Sequence, residues 1–263
     1  MTSLNYLVGA LPKWASIVKK TEDSIEIEAT SPKKSGKTGV KYYLVICINH
    51  GAMLVVSEIS NKNHLPNCCL ERHINTDGSF CLYLNSTNLI GSIENALYWW
   101  NALGDYLNNQ DYATKYGQWP LAKGLCHGDA AFLQLKMEKT VSELGWEDEL
   151  RLSWFRGQGW LSGTLMRPNK RNTGFVNSSS PCIRGCKQLH SPYKKLSCSN
   201  SACRTDCNKL HKPILRSSCP NKDVVDELNR LEIVRRQLEN DYINEVKKLD
   251  VECCGTMKNC SLK

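Results

Sequence analysis

The sequence predicts an α+β fold, in which an antiparallel sheet flanked by helices precedes a small cysteine-rich region with one long helix. Strand-like and helix-like patterns alternate in the first half of the chain. Net charge changes from −2 in residues 1–148 (13 basic, 15 acidic) to +10 in residues 149–263 (21 basic, 11 acidic). Nine of the 14 cysteines lie between residues 182 and 260. We therefore expect a domain over 1–148, a basic linker over 149–181 and a cysteine-rich domain over 182–263.

The first half contains the expected sheet. Residues 4–20 have a helical pattern that is interrupted or capped near Pro12. Residues 24–30 alternate in a way that places Ile25 and Ile27 on one face of a strand. Two apolar runs, 42–48 and 52–59, flank Asn49-His50-Gly51, and this arrangement is typical of a β-hairpin.

Helical patterns follow the sheet. The first begins after Gly91-Ser92 with an apolar stripe at helical spacing, made of Ile93, Leu97, Trp100, Leu103 and Leu107. A second helix is expected from about residue 128 to 144, with three inward-facing residues, Phe132, Leu135 and Val141. A long helix is expected over 222–250, with the stripe Val224, Leu228, Leu231, Leu238, Tyr242 and Leu249.

A short polar turn presents a cysteine in the middle of the first half. Residues 74–82 read Ile-Asn-Thr-Asp-Gly-Ser-Phe-Cys-Leu, which puts Cys81 at the end of a tight loop. The segment resembles the active-site loop of ubiquitin-conjugating enzymes, of the form I-N-x-x-G-x-I-C-L, with Phe80 in place of the usual isoleucine. The eukaryotic family has His-Pro-Asn directly before this loop. Here Glu71-Arg72-His73 stands there, and a similar string, His64-Leu65-Pro66-Asn67, lies upstream.

Three strings together resemble a bacterial branch, the family-B prokaryotic (UBC-like) conjugating enzymes: His-Leu-Pro, Cys-Leu-Glu-Arg-His-Ile and Asp-Gly-Ser-Phe-Cys-Leu. The resemblance covers roughly residues 1–148. Relatives carry a cysteine-rich tail and occur in anti-phage cyclic-oligonucleotide signalling (CBASS) operons. The resemblance implies a cysteine acyltransferase, in which Cys81 holds the C-terminus of a partner protein as a thioester and passes it to an amine. In related operons the donor is a cyclic-oligonucleotide nucleotidyltransferase. The chain has no adenylating motif, so either another protein activates the donor or the donor arrives by a route that the sequence does not reveal.

Four residues are candidates for the catalytic site. Cys81 is the expected nucleophile, although a cysteine is more usually a small core residue. His73 aligns with the family's asparagine, so it is expected to donate to an oxyanion, to act as a base or to bond a backbone carbonyl. Asn75 and Asp77 are expected to orient or to deprotonate the incoming lysine, or else to build the turn.

The distal cysteines and histidines predict structural zinc. Metal binding would supply folding energy that residues 182–220, poor in apolar periodicity, lack. Disulfides are the alternative, which a reducing compartment disfavours. The pairing of ligands is not readable from the sequence, and their number suffices for more than one site. The candidate ligands are Cys182, Cys186, His190, Cys198, Cys203, Cys207, His211, Cys219, Cys253, Cys254 and Cys260.

The remaining features bear on partners and compartment. Residues 151–219 hold 13 basic residues and one acid, Asp206, which fits contact with nucleic acid, docking to an acidic protein or a solvated surface that balances zinc-bound thiolates. No secretion signal and no 18-residue apolar run is present, so we expect a cytoplasmic protein without a membrane span. Two alternative functions remain: an inactive scaffold of the same fold, and a zinc-stabilised nucleic-acid binder.

Overall fold

The computed structural model describes residues 2–33, 39–49, 53–82, 90–159, 161–163, 165–171, 175 and 220–263. These residues form a four-stranded antiparallel sheet with helices and a long helix near the C-terminus, which confirms the predicted fold class. The helices are α1 (Ser3–Gly9), α2 (Ile93–Tyr116), α3 (Ala130–Val141), α4 (Glu147–Arg156) and α5 (Lys222–Lys247). The strands are β1 (Ala15–Lys20), β2 (Ser24–Thr30), β3 (Lys41–Ile48) and β4 (Leu54–Glu58).

The sheet is a meander in the order β1-β2-β3-β4. Alternation along β2 buries Ile25, Ile27 and Ala29 on one face, as the sequence predicts. Strands β3 and β4 pair with Ile48 opposite Leu54, which confirms the predicted hairpin. The inward face of the sheet therefore supplies one layer of the core.

The predicted helix over residues 4–20 is wrong in its second half. Helix α1 ends at Gly9, and Ala15–Lys20 is a strand in which Ser16 pairs with Glu28 of β2. Pro12 lacks the backbone N–H that a continuing helix needs, and Ile17-Val18 is a β-branched pair that favours a strand. Pairing with β2 decides the conformation that the local pattern left open.

Helix α2 packs into the same core as the sheet, and three of its five predicted core residues, Trp100, Leu103 and Leu107, are buried. Ile93 and Leu97 are about half exposed (42% and 49%), so their assignment to the core is wrong. Trp99, which lies outside the predicted stripe, is also buried, because removing so large an apolar side chain from water is favourable. The buried residues of this helix are Ala96, Trp99, Trp100, Leu103, Gly104, Tyr106, Leu107, Gln110 and Ala113.

A partly buried carboxylate joins α2 to the sheet. Asp111 accepts hydrogen bonds from the Tyr42 hydroxyl at 2.6 Å and the Ser31 hydroxyl at 2.5 Å, and it pairs with Lys33. Burial alone would raise the pKa of Asp111, but the hydrogen bonds from Lys33, Ser31 and Tyr42 outweigh it and hold that pKa below its usual value. The ionised carboxylate is thus the form that fixes the helix to the strands.

By contacts, the chain divides into two units. Unit 1 comprises Met1–Lys123 and Ile243–Lys263, and unit 2 comprises Gly124–Tyr242. The sequence predicted a boundary at 148, later than the division at 123/124. The reason is local packing: Met137, Val141 and Leu150 of α3 and α4 share one core with residues of α5 in unit 2. Charge and cysteine content change after residue 148, whereas the core of unit 2 already includes residues before 148, such as Met137 and Val141.

The structure of unit 2 differs from the prediction for the inward face of α3 and from the predicted linker. Phe132 and Leu135 of α3 are about half exposed (48% and 47%), so the predicted inward face is wrong for both, while Val141 is buried. The predicted linker over 149–181 contains most of α4, and Leu161 and Met166 are buried in the same core. The described part of that segment is therefore folded structure.

Helix α5 buries polar side chains inside its predicted apolar stripe. Glu232 is 1% exposed and accepts from Arg235 Nε at 2.7 Å and Trp154 Nε1 at 2.8 Å. Asn229 exchanges two hydrogen bonds of 3.0 Å with the backbone of Met166. Leu228 and Leu231 are buried as predicted, whereas Leu249 is 61% exposed and lies beyond the helix.

The last residues of the chain belong to unit 1. Met257 is 3% exposed and lies in the same core as the sheet and α2. The Lys258 N–H donates to the Gly117 carbonyl at 2.9 Å, just past the end of α2. We call Leu249–Lys263 the C-terminal segment. Although the sequence assigns these residues to the cysteine-rich domain, their contacts are with the unit that carries Cys81.

Candidate active site

The Cys81 loop is fixed by an antiparallel ladder that continues from β4. Ser57 bridges Ser79, Ile74 bridges Phe80, and Cys69 bridges Ile74. The Phe80 N–H donates to the Val56 carbonyl of β4 at 2.8 Å, and the Phe80 side chain is buried. Cys81 follows directly, so the edge of the sheet sets its position.

The turn before Cys81 uses its own polar side chains. Asp77 Oδ1 accepts from the Ser79 N–H at 2.9 Å and the Ser79 hydroxyl at 2.6 Å, while Asn75 Nδ2 donates to Ser79 Oγ at 2.9 Å. Gly78 has φ 79°, a left-handed conformation that favours glycine. Asn75 and Asp77 thus have the contacts expected of turn residues, and Asp77 is exposed at the surface.

His73 supports Cys81 through its backbone. Its φ of 55° is unusual for a residue other than glycine, and its carbonyl accepts the Cys81 N–H at 2.8 Å. The buried Tyr106 hydroxyl donates to the same carbonyl at 3.1 Å and to the Arg72 carbonyl at 3.2 Å. The His73 ring packs edge-on against Trp119, with ring centroids 5.0 Å apart. A residue of α2 therefore fixes the backbone next to the candidate nucleophile.

Arg72 is a buried cation behind this loop, with 2% of its surface exposed. Its guanidinium donates to Gln110 Oε1 at 2.7 Å and Thr114 Oγ1 at 2.7 Å on α2, and to Thr256 Oγ1 at 3.4 Å in the C-terminal segment. Gln110 returns a hydrogen bond from Nε2 to the Arg72 carbonyl at 2.7 Å. The neighbouring Glu71 carboxylate accepts from the Ser261 N–H in the C-terminal segment.

The Cys81 thiol is half-buried, and burial raises its pKa above the usual value for cysteine. It is therefore protonated at neutral pH in the free protein. Formation of the thiolate would require a base that removes the proton from Cys81. Alternatively, a donor protein could bind there and change the apolar surroundings of the sulfur.

A cleft of about 580 Å³ opens beside the turn. Its lining includes Asp77 and Gly78 of the turn, together with Pro66 and Asn67 of the upstream His-Leu-Pro-Asn string. A Cβ on Gly78 would lie 3.6 Å from the Asn67 carbonyl. Glu58 Oε2 holds that string by accepting the backbone N–H groups of residues 64 and 65 at 3.0 and 2.8 Å. The string is distant from Cys81 in sequence but adjoins its turn in space.

Two protein-family models match the chain. A family model described as a prokaryotic E2 domain matches residues 13–121. A second, described as a cysteine-rich domain C-terminal to the E2 domain, matches residues 126–262, about half of the chain. The chain belongs to this family. Searches of curated proteins and of solved structures each found no match. The two matched ranges of this E2 protein meet close to the 123/124 division seen in its contacts.

Membership of this family supports general statements about function and partners. An E2 domain supports a ubiquitin-conjugating-like function and implies protein partners. Among the helices that the structure describes, none is long and apolar enough to cross a membrane. The E2 domain contains all four predicted catalytic residues, and the turn and ladder bring Cys81 close to the His73 backbone.

The predicted metal ligands fall into two groups. Those from Cys182 to Cys219, including His190 and His211, lie outside the described residues. Cys253, Cys254 and Cys260 are described, but the described ranges contain no group of three or more His, Cys, Asp or Glu side chains that could hold a metal ion. Instead, Cys254 Sγ lies 2.8 Å from Cys69 Sγ of the E2 domain. These three cysteines do not fit a four-ligand zinc site by themselves.

The residues that support the loop from behind have no signal in the local sequence. Tyr106 and Gln110 lie on α2, and their spacing of four residues shows only that they share a helix face. Thr256 and Cys254 come from the far end of the chain. No local signal connects any of them with residues 69–73, because those contacts depend on how the chain folds back.

Proposed function

We propose that this E2 protein is a cysteine acyltransferase that forms a thioester on Cys81 with the C-terminus of a partner protein. The observation that carries the proposal is the Cys81 loop itself, which matches the conjugating-enzyme loop in sequence and lies within the matched E2 domain. The ladder from β4 and the Tyr106–His73–Cys81 hydrogen bonds support it, because they hold the nucleophile's backbone in one geometry.

The proposed reaction has two acyl transfers. The Cys81 thiolate attacks the activated carboxyl carbon of the donor, the activating group leaves, and a thioester forms. An amine then attacks the thioester carbonyl, gives up a proton and releases the Cys81 thiolate. The chain shows no nucleotide-binding motif for the activation step, so we assign activation to a separate protein.

His73 is the proposed proton acceptor or oxyanion donor beside Cys81. Its backbone carbonyl accepts a hydrogen bond from the Cys81 N–H, and its imidazole is a group that can act as a general base or as a hydrogen-bond donor. Asp77 is the candidate for orienting the incoming amine, since it is exposed at the rim of the cleft. Its two hydrogen bonds to Ser79 favour a part in turn structure for the same carboxylate.

The proposed donor is a cyclic-oligonucleotide nucleotidyltransferase of an anti-phage operon. Only the sequence resemblance to the family-B branch supports this identity. Structural zinc is proposed for the cysteines and histidines of residues 182–219, where a cysteine-rich domain is matched. Nucleic-acid binding by the basic stretch 151–219 rests on charge alone, and most of that stretch lies outside the described residues.

A covalent trap tests the proposal. The Cys81→Lys and Cys81→Ala variants are expressed in the native host, with and without phage infection, and their intact masses are recorded under denaturing, reducing conditions. A protein-sized adduct on the lysine variant alone is expected, because an amide resists reduction and denaturation whereas a thioester does not persist. Digestion of the adduct identifies the donor. Absence of the adduct with and without infection would refute acyl transfer at Cys81.

The alternative is a scaffold of the same fold without catalysis. It is favoured by one observation, that Glu71-Arg72-His73 replaces the His-Pro-Asn of eukaryotic relatives directly before the loop. The scaffold predicts stable capture of a partner by wild type and Cys81→Ala alike, without any covalent adduct. Purification of the same proteins under native conditions detects this capture, and the covalent trap detects the adduct, so the two measurements together separate the two functions.

A further inference from the structure

Two cysteines far apart in sequence lie side by side in unit 1. Cys69 Sγ and Cys254 Sγ are 2.8 Å apart, although the two residues are separated by 185 positions in the chain. A disulfide has a sulfur–sulfur distance of about 2 Å, so a shift of less than about 1 Å would bring the two sulfurs to bonding distance. Both cysteines are free thiols in the structure.

The contacts on either side hold these two thiols together. The C-terminal segment is attached by burial of Met257, by the Lys258 N–H bond to the Gly117 carbonyl and by the Ser261 N–H bond to Glu71. Cys69 is held by two backbone hydrogen bonds with Ile74, at 3.0 and 3.1 Å. The approach of the sulfurs is thus fixed by folded structure on both sides.

The two thiols differ in exposure. Cys69 is 1% exposed, whereas Cys254 is half-buried and its sulfur also lies 3.2 Å from the Thr256 hydroxyl at an exposed position. An oxidant in solution therefore reaches Cys254 first, and the buried Cys69 thiol is placed to react with the product.

We propose that Cys69 and Cys254 are a reversible oxidation site, which forms a disulfide that ties the C-terminal segment to the ladder leading to Cys81. With a peroxide as oxidant, the Cys254 sulfur attacks the O–O bond to give a sulfenic acid and one water. The Cys69 thiol then attacks that sulfur, the S–S bond forms and a second water leaves. Two thiols lose two electrons and two protons in total, and a dithiol reductant reverses the change.

The disulfide would attach the C-terminal segment to the residues that position the Cys81 loop. Cys69 pairs with Ile74, and Ile74 pairs with Phe80, the residue before Cys81. Oxidation would therefore hold the C-terminal segment against the bridged residues Cys69, Ile74 and Phe80, which position the Cys81 loop. Reduction leaves that attachment to non-covalent contacts such as the 3.4 Å hydrogen bond from Arg72 to Thr256. The proposal concerns the thiol pair alone and does not depend on acyl transfer at Cys81.

The test is disulfide mapping of the full-length protein after treatment with hydrogen peroxide. Free thiols are blocked, and the protein is digested with trypsin without reduction. The expected product links peptide 63–72, which contains Cys68 and Cys69, to peptide 249–258, which contains Cys253 and Cys254. The Cys69→Ser and Cys254→Ser variants should each lose this link, while Cys68→Ser and Cys253→Ser should keep it.

A second measurement tests whether the disulfide holds the C-terminal segment in place. The oxidised protein should resist proteolytic release of the C-terminal segment at least tenfold longer than the reduced protein, and the two serine variants should show no such difference. A matched control is Cys47→Ser, since Cys47 lies on β3 away from the pair and its loss should leave both readouts unchanged.

Three outcomes would overturn the proposal. The first is absence of the linked peptides in the native protein. The second is formation of the link in equal yield in concentrated urea, which would reflect random pairing among 14 cysteines. The third is a lower zinc content of Cys254→Ser than of wild type, which would make Cys254 a metal ligand instead.

Discussion

At the residue scale, the behaviour of Cys81 depends on where the loop places its sulfur. The thiol is half-buried, and burial raises its pKa, so little thiolate is present at neutral pH. The ladder that positions the loop thus also makes the nucleophile less reactive in the free protein. Reactivity would then depend on the arrival of a donor or a base.

We expect the alkylation rate of Cys81 by iodoacetamide to rise with pH and to reach half of its maximum above the ~8.5 of an unperturbed cysteine. The reason is that only the thiolate reacts, and a raised pKa moves its formation to higher pH. The rate is measured by mass spectrometry of peptide 73–115, in which Cys81 is the cysteine. A midpoint at or below that of free cysteine would contradict the assigned burial effect.

Tyr106 is the second residue whose role can be tested alone. Tyr106→Phe removes the hydroxyl that donates to the Arg72 and His73 carbonyls in a buried site. We expect a loss of about 1 kcal/mol in the free energy of unfolding, the usual net value of a buried hydrogen bond. Urea unfolding measures it. Tyr112→Phe on the same helix is the matched control, because Tyr112 is 40% exposed, and an equal loss there would contradict the assignment.

At the element scale, the turn of residues 75–79 depends on a left-handed glycine. Gly78→Ala should cost about 1 kcal/mol of stability, because a Cβ is strained at φ 79°. It should also change the alkylation rate of Cys81. Gly145→Ala is the control, since Gly145 has φ 64°, has no atom within 4 Å of the added Cβ and lies in unit 2. A changed Cys81 rate in the control would show a general effect of destabilisation.

The link between α2 and the sheet depends on pH through Asp111. Its folded pKa is lowered, so its contribution to stability is present above the unfolded value of ~3.9 and is lost as pH falls through the folded pKa. Asp111→Asn should therefore be less stable than wild type at neutral pH, by about 1.5–3 kcal/mol for hydrogen bonds to a charged group. The difference should shrink in acid. A difference independent of pH would exclude this role.

At the scale of the whole molecule, the C-terminal segment is part of the E2 unit. Met257→Ala should lower the free energy of unfolding by about 2–5 kcal/mol, because it removes a side chain that is 3% exposed in the core of unit 1. Leu249→Ala in the same segment should have little effect, since Leu249 is 61% exposed. Comparable urea midpoints for the two variants would mean that the segment does not contribute to this core.

Some elements could be predicted from the sequence because the local pattern sufficed. The alternation of β2, the hairpin of β3 and β4, the long C-terminal helix and the Cys81 turn each have a signal within a few residues. Helix faces were less predictable. Ile93, Leu97, Phe132 and Leu135 are apolar at helical spacing yet about half exposed, whereas Trp99 and Met137 on the same two helices are buried. The spacing alone does not show where the packed face of a helix ends, because that depends on the surfaces it meets.

The sequence by itself determined the family, the α+β order of elements and the cysteine that ends the polar turn, since these depend on local spacing and composition. Tertiary structure alone decided the residues that surround that cysteine. Tyr106 reaches the His73 carbonyl, and Cys254 reaches Cys69 across 185 residues, only after the chain has folded back. Local periodicity records which face of an element is apolar, whereas contacts between distant segments are set by the packing of whole faces against one another.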